Sequence, residues 1–378
     1  MKSEFELIAV LPQGLEDEGA KELLELGAYS IRKFNRSVSF LANLDCFYRV
    51  HLQARLPFRF LRHLAEFECN GPKSLYLGVK KAVDWDIWLP PEKSFRVNTS
   101  GRTFGLTHTH FSSLQVKNAI IDLQREKFGK RSDINLIEPH VALHLHLGGG
   151  RAYLSLETYS ESLHKRGYRP AMGIAPLKEN LAAGLIRLSN WPDCLPIADP
   201  LCGAGTLLIE AASIAIGLSP GLNRSFLFEN WHDFDGNLFL KEKDLAKKNQ
   251  KFTKKLPTII GCEQNLEIAN QAKENIRLAG LEGIIEIKNS NFLDFQLPIK
   301  QGFLVCNPPY GKRLGNEEDL KNLYQKLGDF CKANASGWQF WILNGNPNLS
   351  RFLRMKAAKK IPVNNGGIDC RWLQYLIN

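Results

Sequence analysis

The sequence predicts an α/β protein in which a doubly wound, largely parallel sheet fills the second half and a smaller α+β region precedes it. Three observations carry this reading. From about residue 175 the chain alternates short apolar runs with long helical patterns, the signature of βαβ units. Before that point, period-two apolar alternation and shorter helical stretches are punctuated by glycines, as in small α+β modules. The 378 residues suffice for two or three modules, each with its own core.

Taken in order, Phe5 to Val10 reads as an apolar strand, Leu15 to Leu26 as an amphipathic helix and Ile31 to Leu41 as a second strand, joined by Gly14 and Gly27. Residues 1–44 are thus expected to form a small α+β unit. Between Leu44 and Leu61 apolar residues mix with Arg49, Arg55, Arg59 and Arg62, which reads as a helix with a solvated or RNA-facing basic side. Phe95 onward alternates as a strand, Ser112 to Phe128 has helical periodicity, and Val141 to Leu147 pairs across Gly148 to Gly150 with Ala152 to Leu156 as a hairpin. These elements place a second module at 45–158.

Residues 159–378 form the third, with 159–180 as a lead-in. Its expected strands are Leu195 to Ala198, Thr258 to Cys262, Ile284 to Lys288, Phe303 to Cys306 and Gln339 to Leu343, with one or two more in Val363 to Ile377. The helices between them are Leu177 to Leu188, Leu207 to Ile216, Leu266 to Ala279 and Leu320 to Lys332. Residues 217–255 are an insertion that mixes aromatic and basic residues from Pro220 to Trp231 and ends in a lysine-rich run, Lys241 to Lys255. Both segments are candidates for RNA contact, the run equally for a solvated helix.

Composition narrows the function. Forty-nine Lys and Arg oppose 39 Asp and Glu, a formal charge of +10 that suits a polyanionic partner. The eight cysteines are scattered without a C-x-x-C pair, which argues against a disulfide framework or a cysteine zinc site. His144 and His146 share a strand face, but no acidic or cysteine ligand set accompanies them, so no metal is expected. The N-terminus lacks a signal-peptide h-region, and no apolar run reaches the roughly 18 residues a membrane span needs. A cytoplasmic location is expected.

Two motifs carry chemistry. Asp199-Pro200-Leu201-Cys202-Gly203-Ala204-Gly205-Thr206 follows the first strand of the third module and opens a helix, where open α/β sheets bind nucleotide-like ligands. Leu208 stands where a dinucleotide fingerprint needs its third glycine, so a pyrophosphate cofactor is disfavoured. Glu263, before Gln264 at the end of the second strand, is placed to accept both hydroxyl protons of a ribose. After the fourth strand comes Asn307-Pro308-Pro309-Tyr310-Gly311. This run resembles the N-P-P-Y motif of amino-methyltransferases, and the likeness implies an exocyclic base amine as the methyl acceptor, a poor nucleophile because its lone pair is delocalised. The Asn307 side-chain oxygen and the Pro308 carbonyl are suited to accept its two protons, and Tyr310 to stack a flipped base.

The glycine turn resembles motif I of class I methyltransferases. The likeness implies S-adenosylmethionine as methyl donor, Asp199 at its amino end, Glu263 at its ribose and Asn291 with Phe292 at its adenine. Asp294 is the alternative there, since the acidic residue usual at that point is absent. Phe95-Arg96-Val97, Ser112-Ser113, the helix around Val116 to Ile121, the strand ending at His146 and Leu163 to Arg169 resemble a THUMP domain, a module that grips structured RNA.

In order, these features together with Ala175 to Ala182, Pro220 to Trp231 and Gly367 to Cys370 resemble the bacterial 23S rRNA guanine-N2 methyltransferases of the RlmL type. The resemblance covers nearly the whole chain, and it implies the form with a single methyltransferase half. It implies a Rossmann-like sheet behind a ferredoxin-like and THUMP region, with RNA, above all 23S rRNA, as partner. A tRNA guanine-N2 methyltransferase, a DNA adenine-N6 methyltransferase and a non-enzymatic RNA assembly factor stay open as alternatives.

Overall fold

In the computed structural model, residues 4–169, 177–250, 256–298, 301–310 and 316–377 are described, and their strands form two seven-stranded sheets. The first sheet contains β1 (Glu4–Val10), β2 (Tyr29–Phe34), β3 (Ser37–Asn43), β4 (Arg59–Glu68), β5 (Phe95–Gly101), β6 (Val141–Gly148) and β7 (Arg151–Glu157), in the order β2-β3-β1-β4-β7-β6-β5. Ile31 to Leu41 reads in the sequence as one strand and is instead the β2–β3 hairpin, which turns at Arg36 with φ +61°. β2 is the outer strand of that hairpin, and its Arg32 and Lys33 stay in solvent, a charged edge that resists further pairing.

The helix Leu44–Gln53 starts where the Asn43 side chain accepts the Cys46 N–H. The helix Thr109–Phe128 ends on Gly129, whose φ of +65° supplies the left-handed closing residue. Glu157, at the end of β7, is nearly buried and gathers Arg59, Arg96, Asn98 and His144. Burial alone would raise its carboxyl, but hydrogen bonding from His144 and the charge of Arg59 hold it at about 2.

The second sheet contains β8 (Ile197–Asp199), β9 (Ile259–Glu263), β10 (Ile285–Asn289), β11 (Phe303–Cys306), β12 (Gln339–Asn344), β13 (Lys359–Asn365) and β14 (Ile368–Leu376). Their order is β10-β9-β8-β11-β12-β14-β13, all parallel except β14. Strands buried on both faces read as the continuous apolar runs seen in the sequence. Helices Glu179–Leu188, Thr206–Ala215 and Leu266–Leu278 contribute to the core on one face, and Glu317–Asn334 to that on the other. The chain leaves β8 toward β9 and later returns to β8's other side as β11. That reversal opens a crevice at the strands' carboxyl ends.

The insertion does not lie where the sequence suggests. Phe226, Phe228 and Trp231 are buried in the first core against Phe47, Tyr48 and His51 rather than exposed to a partner. Nor do the four arginines form a free basic face. Arg49 bonds Glu242, Arg59 bonds Glu157, Arg62 bonds Asp233, and buried Arg55 donates to the Ser213 carbonyl at 2.9 Å. Three of them thereby tie the first region to the third, where apolar burial and satisfied charges reinforce each other. Among the described residues no helix is long and apolar enough to cross a membrane.

Candidate functional site

Asp199 ends β8 and pairs with Gly261 of β9, so Glu263 stands two residues beyond that pairing at the same edge. Gly261 has to lack a side chain, because an added Cβ would lie 2.9 Å from Cys202 Cβ and 2.7 Å from Leu208 Cδ1. The turn between β8 and the helix is pinned from both sides: Cys202 N–H donates to the Cys262 carbonyl at 2.9 Å, and Asn275 Nδ2 to the Ala204 carbonyl at 3.0 Å. Pro200 and Cys202 are buried in it, and Thr206 starts a helix that carries no side-chain cap. Its first N–H groups therefore stay available to a ligand.

Gly203 has φ +52° and Gly205 φ +81°, both in the left-handed region. Around Gly203 an added Cβ would meet nothing within 4 Å, so this backbone faces open space. Asp199 is buried, with its Oδ1 accepting the Leu201 N–H at 3.0 Å. Burial, with Glu263 adding to it, pushes the Asp199 carboxyl up to about 8 against the pull of that single hydrogen bond.

Glu263 Oε1 accepts the Asn265 N–H at 2.9 Å, and Gln264 is exposed beside it. Asn289, which sequence reasoning missed, donates from Nδ2 to the carbonyls of Glu263 (2.9 Å) and Gln264 (3.1 Å) and so fixes their turn. Asn291 and Phe292 depart from their expected use. The Asn291 oxygen accepts the Leu293 N–H at 3.0 Å, and Phe292 is turned into the core against Phe330. Asn291 itself is exposed, as is Asp294 three residues on.

Asn307 leaves β11 directly beside β8. Its Oδ1 is buried and has no hydrogen-bond partner among the described residues. A buried acceptor of this kind costs free energy unless something else satisfies it. Pro308 is buried and Pro309 half-buried. The Tyr310 hydroxyl accepts from Asn365 Nδ2 at 2.7 Å, Cys370 Sγ lies 3.7 Å away, and the ring packs on Gly345, where a Cβ would be 2.6 Å from it. Burial raises the Tyr310 hydroxyl above its ordinary value, so it stays protonated. Asn365 and Gly345 were not legible as partners, lying 55 and 35 positions away. Gly311 and Pro170 to Pro176 lie outside the described residues.

A reversed parallel sheet with a glycine turn after its first strand and Asn-Pro-Pro-Tyr after its fourth defines a Rossmann-like class I methyltransferase domain, here behind a ferredoxin-like and THUMP region. Comparison with known proteins agrees: residues 166–374 match the RMKL-like methyltransferase domain, 74–157 the THUMP domain and 6–61 the RlmL ferredoxin-like domain. The chain belongs to the RMKL-like methyltransferase family.

A Synechocystis protein, provisionally named an RNA methyltransferase, is 39% identical over 97% of this chain and 95% of its own. The ribosomal RNA large subunit methyltransferase K/L of Syntrophotalea carbinolica is 36% identical over 99% of this chain, which spans 54% of that relative. Against such K/L proteins the chain covers about half their length. Among solved structures SMU.472, provisionally described as a methyltransferase and complexed with SAH, superposes with a TM-score of 0.91 at 31% identity, covering 100% of this chain and 99% of its own.

Proposed function

We infer that this protein transfers a methyl group from S-adenosylmethionine to the exocyclic N2 of a guanine in 23S rRNA, in the cytoplasm. The observation that carries the reading is the unpartnered, buried Asn307 Oδ1 just past the carboxyl end of β11, the strand paired with β8, whose own following turn holds the open backbone of Gly203. The residues present fit the donor. The Gly203–Gly205 turn with Pro200, Cys202 and Thr206 would lie along its methionine part, Asp199 would take its amino end, Glu263 its ribose, and Gln264 with Asn291 and Phe292 its adenine. When bound, that molecule supplies a methyl group already activated on a sulfonium.

The chain's own work is then to make a weak nucleophile attack. Asn307 Oδ1 would accept a hydrogen bond from one amine N–H and the Pro308 carbonyl from the other, drawing the nitrogen out of conjugation and aiming its lone pair. As the N–C bond forms and the methyl group leaves its donor, one of the two protons is released to water and the other stays on the nitrogen. Pro308 and Pro309 stiffen the turn that holds both acceptors. Tyr310, fixed by Asn365, supports the extruded base. No covalent intermediate on the enzyme is needed, and positioning supplies much of the rate. The large-subunit rRNA assignment draws support from the names of the K/L relatives and from the THUMP match, while the guanine N2 rests on the resemblance of the motifs given above.

Transfer of labelled methyl to unmodified 23S rRNA, bulk tRNA and duplex DNA, followed by nucleoside analysis, tests this. N2-methylguanosine in 23S rRNA is the expected product. The same nucleoside in tRNA, or N6-methyladenine in DNA, would overturn the substrate while keeping the chemistry. RNA binding with no transfer to any of the three would leave an assembly factor.

A further inference from the structure

A cleft of about 930 Å³ separates the loop Gln13–Glu16 from the β13–β14 hairpin and the segment 344–357. It is a built feature rather than a gap between loose parts. Asn364 N–H donates to the Gln13 carbonyl at 3.0 Å, and Gly14, with φ +90°, sits so close that a Cβ would fall 2.3 Å from the Pro362 oxygen.

Four exposed cations line it, Arg351, Lys356, Lys360 and Arg371, and none of them forms an ion pair among the described residues. Its two carboxylates are engaged otherwise. Glu16 accepts the N–H groups of Gly14 and Arg36 at 2.8 and 2.9 Å, and Asp369 accepts from Asn364 Nδ2 at 3.1 Å. Cations elsewhere on the surface do find acids, for example Lys33 with Asp17 and Lys80 with Glu126. Four cations around one cleft outnumber its two carboxylates, neither of which pairs with them, and the net positive charge attracts a polyanion.

The cleft also leads somewhere. Cys370, one of its walls, touches the Tyr310 hydroxyl, and Asn344, another, directly precedes the Gly345 on which the Tyr310 ring packs. Arg371 pairs with Asn344 at this inner end, while Lys360, opposite Leu373, lies farther out along the hairpin. From Lys360 to Asn364 the strand extends about 13 Å, longer than one nucleotide needs. A base drawn into the Asn307 site must leave its stack, so its flanking backbone lies against the surface around that site, where this cleft opens.

Resting on the function proposed above, we propose that this cleft binds the phosphate backbone of the single-stranded RNA immediately flanking the target nucleotide. Phosphates face Arg351, Lys356, Lys360 and Arg371, and the base between them enters the Asn307 site. Specificity for RNA sequence does not come from these residues, since phosphates position and bases specify.

The test is the variant Arg351→Gln/Lys356→Gln/Lys360→Gln/Arg371→Gln of the full chain, compared with a charge-matched control at four exposed lysines outside the cleft and outside the lysine-rich run, Lys21→Gln/Lys273→Gln/Lys288→Gln/Lys332→Gln. Binding of a 23S rRNA fragment is measured across a salt series, with S-adenosylmethionine binding, melting temperature and methyl transfer alongside. In the cleft variant the RNA Kd and KM should rise at least about tenfold, and the salt slope should shrink by about 0.7 for each phosphate no longer neutralised. S-adenosylmethionine binding and kcat at saturating RNA should hold, and the control should bind as the parent does. If the fourfold variant does not fold, Lys356→Gln and Arg371→Gln singly should each remove about 0.7 of slope. Unchanged affinity and slope in the cleft variants, or an equal loss in the control, overturns the proposal. Failure of the underlying reading looks different: the parent itself transfers methyl to no RNA.

Discussion

The Tyr310 hydroxyl accepts a hydrogen bond from the Asn365 side-chain amide at 2.7 Å, joining the Asn-Pro-Pro-Tyr turn after β11 to the tip of the β13–β14 hairpin. The hairpin therefore braces the proposed site and is not only an edge of the sheet. Asn365→Ala should lower kcat several-fold with little change in the KM for RNA, because the base support is loosened while the RNA stays held elsewhere. Its cost in stability should be about 1 kcal/mol, that of one neutral hydrogen bond. Steady-state kinetics and thermal melting separate the two effects, and a pure KM change would show that this hydrogen bond serves binding instead.

Asn307→Ala should reduce methyl transfer by about 10² to 10³, the usual cost of removing an acceptor or donor aligned to the transition state. Because Oδ1 has no partner among the described residues, the same change should leave the melting temperature unaltered or raise it slightly. Lost activity with undiminished stability and retained RNA binding would mark a functional residue. A clear loss of stability would mark a structural one.

Asp199 gives a pH signature. Its carboxyl titrates near 8 when folded and near 3.8 in the ordinary state, so the folded form holds a proton that the unfolded chain has lost. Its contribution is favourable below pH 4 and is lost as pH rises toward 8, by up to about 1.4 kcal/mol per unit. Denaturation of the ligand-free protein from pH 5 to 8 should show this fall, flattened in Asp199→Asn. If Asp199 takes the cationic amino end, S-adenosylmethionine binding should strengthen over the same range and release a proton, measurable by calorimetry in two buffers.

Two glycines with positive φ have opposite surroundings. Gly203→Ala puts a methyl group into open space, so folding should lose only the left-handed penalty of about 1–2 kcal/mol, while affinity for S-adenosylmethionine should fall further. Gly14→Ala collides with the Pro362 carbonyl and should lower the melting temperature with cofactor binding retained at permissive temperature.

Phe228 joins the insertion to the first region, 1% exposed and stacked on Phe226 at 4.8 Å. Phe228→Ala should cost about 3–5 kcal/mol. Chemical denaturation should show it, either as a single destabilised transition or as separate melting of the two regions.

Much of this was legible in the sequence because it rests on neighbours in the chain. Phe303 to Cys306 reads as a strand with the bounds the structure gives it, since a strand buried on both faces has to be uniformly apolar. Asn307 to Tyr310 and Asp199 to Thr206 are readable because each packs several functional groups into one turn whose shape is set by its own prolines or glycines. What the tertiary structure alone decided is where distant parts meet. It turned Phe226, Phe228 and Trp231 inward, because apolar rings are buried wherever a matching surface stands. It gave Arg49, Arg55, Arg59 and Arg62 partners up to 193 positions away. It brought Asn365 to Tyr310 and left four cations around one cleft, since pairing across the chain depends on topology and periodicity reports only which face of an element is buried.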